Sequence, residues 1–511
     1  MNQTQSQIRS QTHRQFASLG ALLTAAFSLA ACGGSTQEAS GSVVQRTERA
    51  ATPAQHEVPV AIADASGTVQ SASTAGFIDT GNLFFTPMGN GRSCSTCHQE
   101  AQAWSVTPAS LSARFTVSKG TDPVFLTVDG SNSPNAPVAT LAQKQSAYSM
   151  LLSKAVIRVG LPIPAGAQFQ LSEVNDSYGF ASAGQLSLFR RPLPTANLKF
   201  GNTVMWDGRE TLVGTTSPAC SSDVPPASCF ATDGADLQAQ ANNAVQTHAQ
   251  MLAGLSVAQQ QSITGFETGL FVAQASDNAA GSLSANGATA GAQNLAGGTF
   301  YFGINDFFAG DYQTHARFDN DVMNLFTAWN SLAAPPPLPQ RGVAPPAPPS
   351  AAVAARASIA RGEQLFNTRP FPIANVAGLN DVLNQPVIRG TCSTCHDTPN
   401  AGSQSVPRLF NTGVAGANLR TADMPLYTLR NLVSGATVQT TDPGRALVTG
   451  KWADVGKFKV PGLRGLAARP PYFHNGSQAN LAGVVNFYDK RFGANFTPQE
   501  VADLTNFLQS L

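Results

Sequence analysis

Two copies of one short motif carry most of the chemistry that can be read from this chain: Cys94-Ser-Thr-Cys97-His98 and Cys392-Ser-Thr-Cys395-His396. Two thiols three positions apart on one helical turn can reach the two vinyl groups of a single porphyrin. The imidazole that follows then falls beneath the iron as its proximal ligand. The competing uses of Cys-x-x-Cys are a redox dithiol and half of a zinc site. A redox dithiol does not need the histidine twice, and zinc needs further ligands nearby. The spacing therefore predicts two covalently bound c-type haems, attached through Cys94, Cys97, Cys392 and Cys395, with His98 and His396 on the irons.

Three cysteines remain. Cys220 and Cys229 lie in Pro218-Ala-Cys-Ser-Ser-Asp-Val-Pro-Pro-Ala-Ser-Cys229, where an oxidising compartment would join them in a local disulfide; two free thiols are the alternative. Cys32 closes a segment that carries Arg9, His13 and Arg14 and then runs apolar from Phe16 to Ala31. A basic stretch followed by a short apolar one is a secretory signal, too short and wrongly flanked to span a bilayer. Its end, Leu29-Ala30-Ala31-Cys32, resembles the lipobox of bacterial lipoproteins. The resemblance implies cleavage before Cys32, acylation there, and, with Gly33 in place of aspartate, an outer-membrane anchor on the periplasmic side. An ordinary signal with a fortuitous cysteine is the alternative. Residues 32–73, rich in Ser, Thr, Gln and Ala, read as a flexible tether.

The haem motifs must be positioned by elements around them. They lie 298 residues apart, and each follows a related stretch, Gly81-Asn-Leu-Phe-Phe and Gly362-Glu-Gln-Leu-Phe. Each reads as a short amphipathic helix that leads through a Gly-containing loop into the motif. Residues 333–352 form a proline-dense linker of semi-rigid polyproline type. The expected organisation is therefore an N-terminal domain over 74–332 and a C-terminal domain over 353–511. Strand signals are few and helix punctuation is frequent. Ser256 with Gln259 fits a capping box, and Thr497-Pro498-Gln499-Glu500 fits a stronger one with Pro at the first helical position. Val501, Leu504, Leu508 and Leu511 then share one face. The expectation is a mostly α protein of two cytochrome c-like haem domains, the first carrying long insertions within 212–300.

Composition narrows the partners. Of 511 residues 42% are apolar, which excludes wholesale disorder, and 31 basic against 30 acidic side chains leave a net charge of +1. A protein that neutralises many phosphates needs a basic excess, so no nucleic-acid partner is expected. Beyond the first 32 residues no apolar run of about 18 residues appears, so any membrane contact is by the lipid anchor alone.

Three further stretches carry a resemblance. Arg190-Arg-Pro-Leu-Pro-Thr-Ala-Asn197 leads to Met205-Trp-Asp-Gly-Arg-Glu210, Lys457-Phe-Lys-Val-Pro-Gly-Leu-Arg464 leads to Pro471-Tyr-Phe-His-Asn-Gly476, and Val484-Val-Asn-Phe-Tyr488 follows. With the haem motifs these resemble the bacterial dihaem cytochrome c peroxidase/MauG superfamily over most of residues 75–511. The resemblance implies a peroxidatic N-terminal haem with an open distal face and a six-coordinate, electron-transferring C-terminal haem. It places Trp206 between them. It also implies hydrogen peroxide as oxidant, a small donor protein (a cytochrome c or cupredoxin) and a homodimer. The sixth ligand of the second haem falls at Tyr488, a position that is methionine in the peroxidases and tyrosine in MauG-type enzymes. His474 and Met424 are the rivals. The glutamate that the family places on the distal side of the first haem aligns with Gln250, whose amide cannot shuttle a proton. His248 could substitute, having a pKa near neutrality. On one continuous helix the two lie about 200° apart, so they cannot both face the iron unless the helix breaks there. Asn197, with the carbonyls of Arg469 and Pro471, matches the family's calcium ligands. Two other functions remain open: a MauG-like oxidase or oxygenase acting on a protein or organic substrate, and a non-enzymatic dihaem electron carrier.

Overall fold

The capping signal at residue 497 works as its sequence suggests. The Thr497 hydroxyl accepts the Glu500 N–H at 3.2 Å and the Glu500 carboxylate accepts the Thr497 N–H at 2.8 Å, opening the helix Pro498–Gln509. Leu504, Leu508 and Leu511 are buried in one cluster, with Val501 packed on it. This helix crosses the helix Ala351–Thr368 so closely that a Cβ on Gly362 would stand 2.1 Å from the Asp503 carbonyl oxygen. Glycine is needed there for the approach of two backbones. The same helix carries Phe366, whose ring lies 6.1 Å from that of His396. The related stretch in the first half is not a helix but a single 3-10 turn, Leu83–Phe85. Phe84 from that turn packs against Trp104 and against Phe266 of the helix Val257–Thr268, itself opened by the expected Ser256/Gln259 box.

The computed structural model describes residues 55–211, 233–333, 348–421 and 423–511. Cys32, the Cys220/Cys229 pair and most of the proline-dense linker lie outside the described residues. The described residues all fall within one compact unit.

The expectation of a mostly α fold is overturned: 32% of the described residues are helical and 19% strand, with several small sheets. The strands escaped the sequence because they are short and often buried on both faces, which removes the period-two alternation that marks a half-exposed strand. Leu186–Arg190 is buried at every position, and Leu270–Asp277 at its first five. Within the tether expected over 32–73 lie three strands, Gln55–Glu57, Ala61–Ala63 and Gly67–Ser73. Gly67–Ser73 pairs antiparallel with Leu270–Asp277 and buries Val69, Ser71 and Ala72. Its polar residues are paired within the fold: Ser71 accepts from the Trp104 indole at 3.0 Å.

A second sheet draws on segments from both sides of the linker. Phe169–Asn175 pairs antiparallel with Leu426–Asn431, which in turn pairs with Thr437–Thr440. The Tyr427 hydroxyl donates to the Ser187 carbonyl and accepts from its N–H, both at 2.8 Å. Among the described residues no helix is long and apolar enough to cross a membrane.

Candidate functional site

Each Cys-Ser-Thr-Cys-His motif begins as a 3-10 turn, Cys94–Thr96 and Cys392–Thr394, closed by a capping box from Ser93 or Thr391. The turn lays the histidine amide on the first cysteine's carbonyl, at 3.0 Å for His98 and 3.2 Å for His396. The His98 Nδ1 then lies 3.1 Å from the Trp104 carbonyl and the His396 Nδ1 2.5 Å from the Gly402 carbonyl. A carbonyl only accepts, so Nδ1 carries the hydrogen in both rings and Nε2 is left with its lone pair, the form that binds a metal. Burial draws both imidazoles down to about 4, keeping them neutral.

Each motif lines its own apolar cavity, about 220 Å³ around Cys94, Cys97 and His98 and about 210 Å³ around Cys392, Cys395 and His396. Four thiols in pairs, two imidazoles offering Nε2 and apolar walls fit two thioether-linked haems. Among the described residues Trp206 is the one aromatic that lines both cavities. Its indole N–H donates to the Arg191 carbonyl at 2.8 Å, and its own carbonyl accepts the Lys459 N–H at 2.9 Å. The adjoining Asp207 is fully buried and bonded to Arg190 and Arg209. Burial alone would raise its pKa, but the two guanidinium groups hold it down to about 2. Arg190 also forks onto Asp442 at 2.7 and 2.9 Å. Arg209 and Asp207 thus fix the turn that presents Trp206.

The first cavity brings in His248 and leaves out Gln250. The helix Asp233–Thr247 stops one residue before His248, and the backbone turns left-handed at Gln250, with φ of 54°. His248 lines the cavity, whereas Gln250 is exposed and accepts from the Asn90 amide at 3.1 Å. The His248 Nδ1 lies 2.6 Å from Asp129, a carboxylate buried to 4% exposure whose other oxygen receives Arg92 at 2.5 Å. Burial works to raise the Asp129 pKa, but His248 and Arg92 outweigh it and hold it below the usual range. The ionised carboxylate therefore accepts the Nδ1–H of His248. Glu267, on the helix Val257–Thr268, lines the same cavity, and burial pushes its carboxyl up to about 8. Sequence reasoning missed Asp129, Arg92 and Glu267. Asp129 is 119 residues from His248, and no local pattern links them.

The second cavity is lined by both Tyr488 and His474. The Tyr488 ring stacks on Phe492 at 6.0 Å, and burial pushes its hydroxyl up to about 12. His474 is 1% exposed, lies flat against Phe458 at 4.1 Å, and has no hydrogen-bond partner on either ring nitrogen. Burial draws it down to about 4. Met424 packs elsewhere, with Met150, Val156 and Phe189. The residues expected to hold calcium do not fit it as they stand. The Asn197 amide is engaged at both ends by the Val272 backbone, at 2.9 Å each, and the Arg469 carbonyl receives the Arg191 guanidinium at 3.1 Å.

No family model matches the chain. A stretch of 140 residues is 31% identical to the cytochrome-c peroxidase IdrP1 of Pseudomonas sp. (strain SCT), covering 24% of this chain and 36% of that protein. Another of 142 residues is 30% identical to the cytochrome c551 peroxidase of Nitrosomonas europaea, covering 26% and 36%. A third of 75 residues is 37% identical to the cytochrome c peroxidase Ccp of Escherichia coli, covering 14% and 16%. The chain thus spans about a third of the length of the first of these relatives. Among solved structures, one described as a MauG-like protein associated with microbial copper homeostasis superposes with a TM-score of 0.32 at 14% identity, over 85% of this chain and 88% of that one.

Proposed function

We propose that this chain is a dihaem c-type peroxidase. It reduces hydrogen peroxide to water with two electrons and two protons, the electrons coming from a small periplasmic donor protein, a cytochrome c or cupredoxin. The observation that carries the reading is the pair of like-sized cavities, each floored by its own Cys-Ser-Thr-Cys-His and walled on the shared side by Trp206. The similarity to cytochrome-c peroxidases supports it. Bound through Cys94 and Cys97 and through Cys392 and Cys395, two haems would supply the redox-active iron that no side chain here provides.

The protein's own groups divide the work. His98 and His396 would hold the irons through Nε2, each ring oriented by the carbonyl that accepts its Nδ1–H. In the first cavity His248 handles the proton: Nε2 takes it from the near oxygen of peroxide and returns it to the far oxygen, which leaves as water. Asp129 orients the ring by accepting the Nδ1–H, which turns Nε2 into the cavity, and Arg92 and His248 together hold Asp129 ionised. Gln250 has no part. Trp206 is held by backbone hydrogen bonds at both ends, a fixed aromatic between the two sites. In the second cavity Tyr488 would serve beside His396 as a protein ligand to that haem's iron, a role in which an anionic oxygen favours the ferric state. A second reading gives that role to His474, neither of whose ring nitrogens is hydrogen-bonded. Cys32 anchors the chain by lipid on the periplasmic side of the outer membrane.

The test is spectroscopic and kinetic. The haem-loaded protein should show one high-spin and one low-spin haem and turn over peroxide with a reduced small donor. Two low-spin haems that bind no cyanide would leave only electron transfer. A long-lived oxidised species without donor turnover would favour the MauG-like oxidase that Tyr488 resembles. Electron paramagnetic resonance of Tyr488→Phe, set against His474→Gln, assigns the ligand by which variant loses the low-spin signal.

A further inference from the structure

Three arginines line the two cavities or the smaller one beside them without joining an ion pair, though Arg464 feels the charge of the buried Glu363 carboxyl. Arg191, 5% exposed, donates only to backbone carbonyls, those of Lys154, Val106 and Arg469 at 2.9–3.2 Å. Arg464, 2% exposed, reaches the Asn400 carbonyl at 3.2 Å, and its Nε and Nη2 have no hydrogen-bond partner. Arg469 reaches the carbonyls of Gly462 at 2.9 Å and Arg464 at 3.4 Å. Among the described residues none of the three joins an ion pair, whereas the neighbouring Arg190 has two. Burial lowers Arg191 to about 9, helped by the charge of Arg469, and lowers Arg464 and Arg469 to about 10. A buried charge left without a counter-charge is expensive, and a cluster of them is kept where an anion completes it.

The positions say which anion. Arg191 lines both motif-bearing cavities, and Arg469 lines the second together with a smaller cavity that adjoins it. Lys459 lines all three. The smaller cavity also holds Arg464 and Gln404, the latter 3% exposed with both amide atoms unpartnered. Cations and amide donors from three chain segments thus converge where the two cavities meet. A porphyrin attached by its vinyl groups at the cysteines carries its two carboxylate arms on another edge.

We infer that Arg191, Arg469 and Lys459 form a shared seat for the carboxylates of the two tetrapyrroles, with Arg464 and Gln404 completing it behind Arg469. This rests on the haem reading above and goes beyond it, because it assigns one set of cations to both cofactors and so fixes their mutual orientation. Guanidinium forks suit the task, since they meet a carboxylate with two parallel hydrogen bonds. Their charge near the iron also favours the reduced state, so removing one should lower a reduction potential.

The test uses the full-length, haem-loaded protein with Arg469→Gln and Arg469→Lys, reading pyridine haemochrome content, both midpoint potentials and the resonance Raman propionate-bending bands. The inference expects two haemochromes per chain in Arg469→Gln, a lowered potential at one haem and a displaced band. Arg469→Lys should recover most of the potential but not the band, because lysine returns the charge without the fork. Two haemochromes with unchanged potentials and unchanged bands would overturn it. Should Arg469→Gln not accumulate, Lys459→Gln decides the question, with both haems expected to shift and neither shifting as the contrary result. Failure of the haem reading itself looks different: fewer than two haemochromes in the unmutated protein, which overturns both.

Discussion

His248→Ala separates a proton-handling histidine from one that merely fills its place. The side chain is about one-third exposed, and its structural tie is one hydrogen bond, Nδ1 to Asp129 at 2.6 Å. Losing a hydrogen bond to a charged group costs about 1.5–3 kcal/mol of stability. Asp129 keeps its ion pair with Arg92, so no buried carboxylate is left alone and the variant should fold and load haem. General acid–base catalysis contributes about 100- to 10,000-fold, equivalent to about 2.7–5.4 kcal/mol of barrier. The assay mixes pre-reduced, haem-loaded protein with hydrogen peroxide in a stopped-flow instrument and reads the bimolecular rate constant from the Soret band. His248→Ala should lower that constant by about 100-fold or more. Asp129→Asn, which keeps the shape but weakens the hold on the Nδ1 hydrogen, should fall between it and the unmutated protein. Gln250→Ala should change nothing, since that side chain faces solvent. A His248→Ala constant within about threefold of the unmutated value, well short of that range, would refute the assignment.

Two further outcomes test the frame that holds the site. Asp207 has a native pKa of about 2, below its unfolded value of about 3.9, so its contribution is complete above the unfolded value and disappears as pH falls through 2. That contribution is about 2–3 kcal/mol, and Asp207→Asn should destabilise the protein by about that much or more at pH 6 while the difference narrows toward pH 2; denaturant melts across that range check it, and a pH-independent difference would contradict it. Gly362→Ala places a Cβ 2.1 Å from the Asp503 carbonyl, and overpacking of this kind costs about 1–3 kcal/mol, so the thermal midpoint should fall, whereas an unchanged midpoint would mean the helices separate without penalty.

What could be read from the sequence was what is local. The Cys-Ser-Thr-Cys-His turns, the capping boxes at Ser256 and Thr497 and the apolar face of the last helix each depend on residues within a few positions, and each is present. The strands could not be read this way. Gly67–Ser73 is polar in composition because its serine and threonine are satisfied by partners some 200 residues away or by Trp104, so it reads as a tether. The same limit hid the support of His248: Asp129 meets it across 119 residues. The choice between His248 and Gln250 turned on where one helix ends, and neither a glycine nor a proline marks that end. The left-handed turn at Gln250 is taken by an ordinary residue. The Cys220/Cys229 disulfide and the lipid anchor at Cys32 fall outside the described residues, and both remain proposals from sequence.

The claim under everything else is that each cavity seats its own thioether-linked haem. Pyridine haemochrome analysis of the purified, matured protein tests this directly. Two haems per chain are expected, one after Cys94 and Cys97 are both changed to serine, and one after the same change at Cys392 and Cys395. A single haem in the unmutated protein, or two that survive either double substitution, would contradict it.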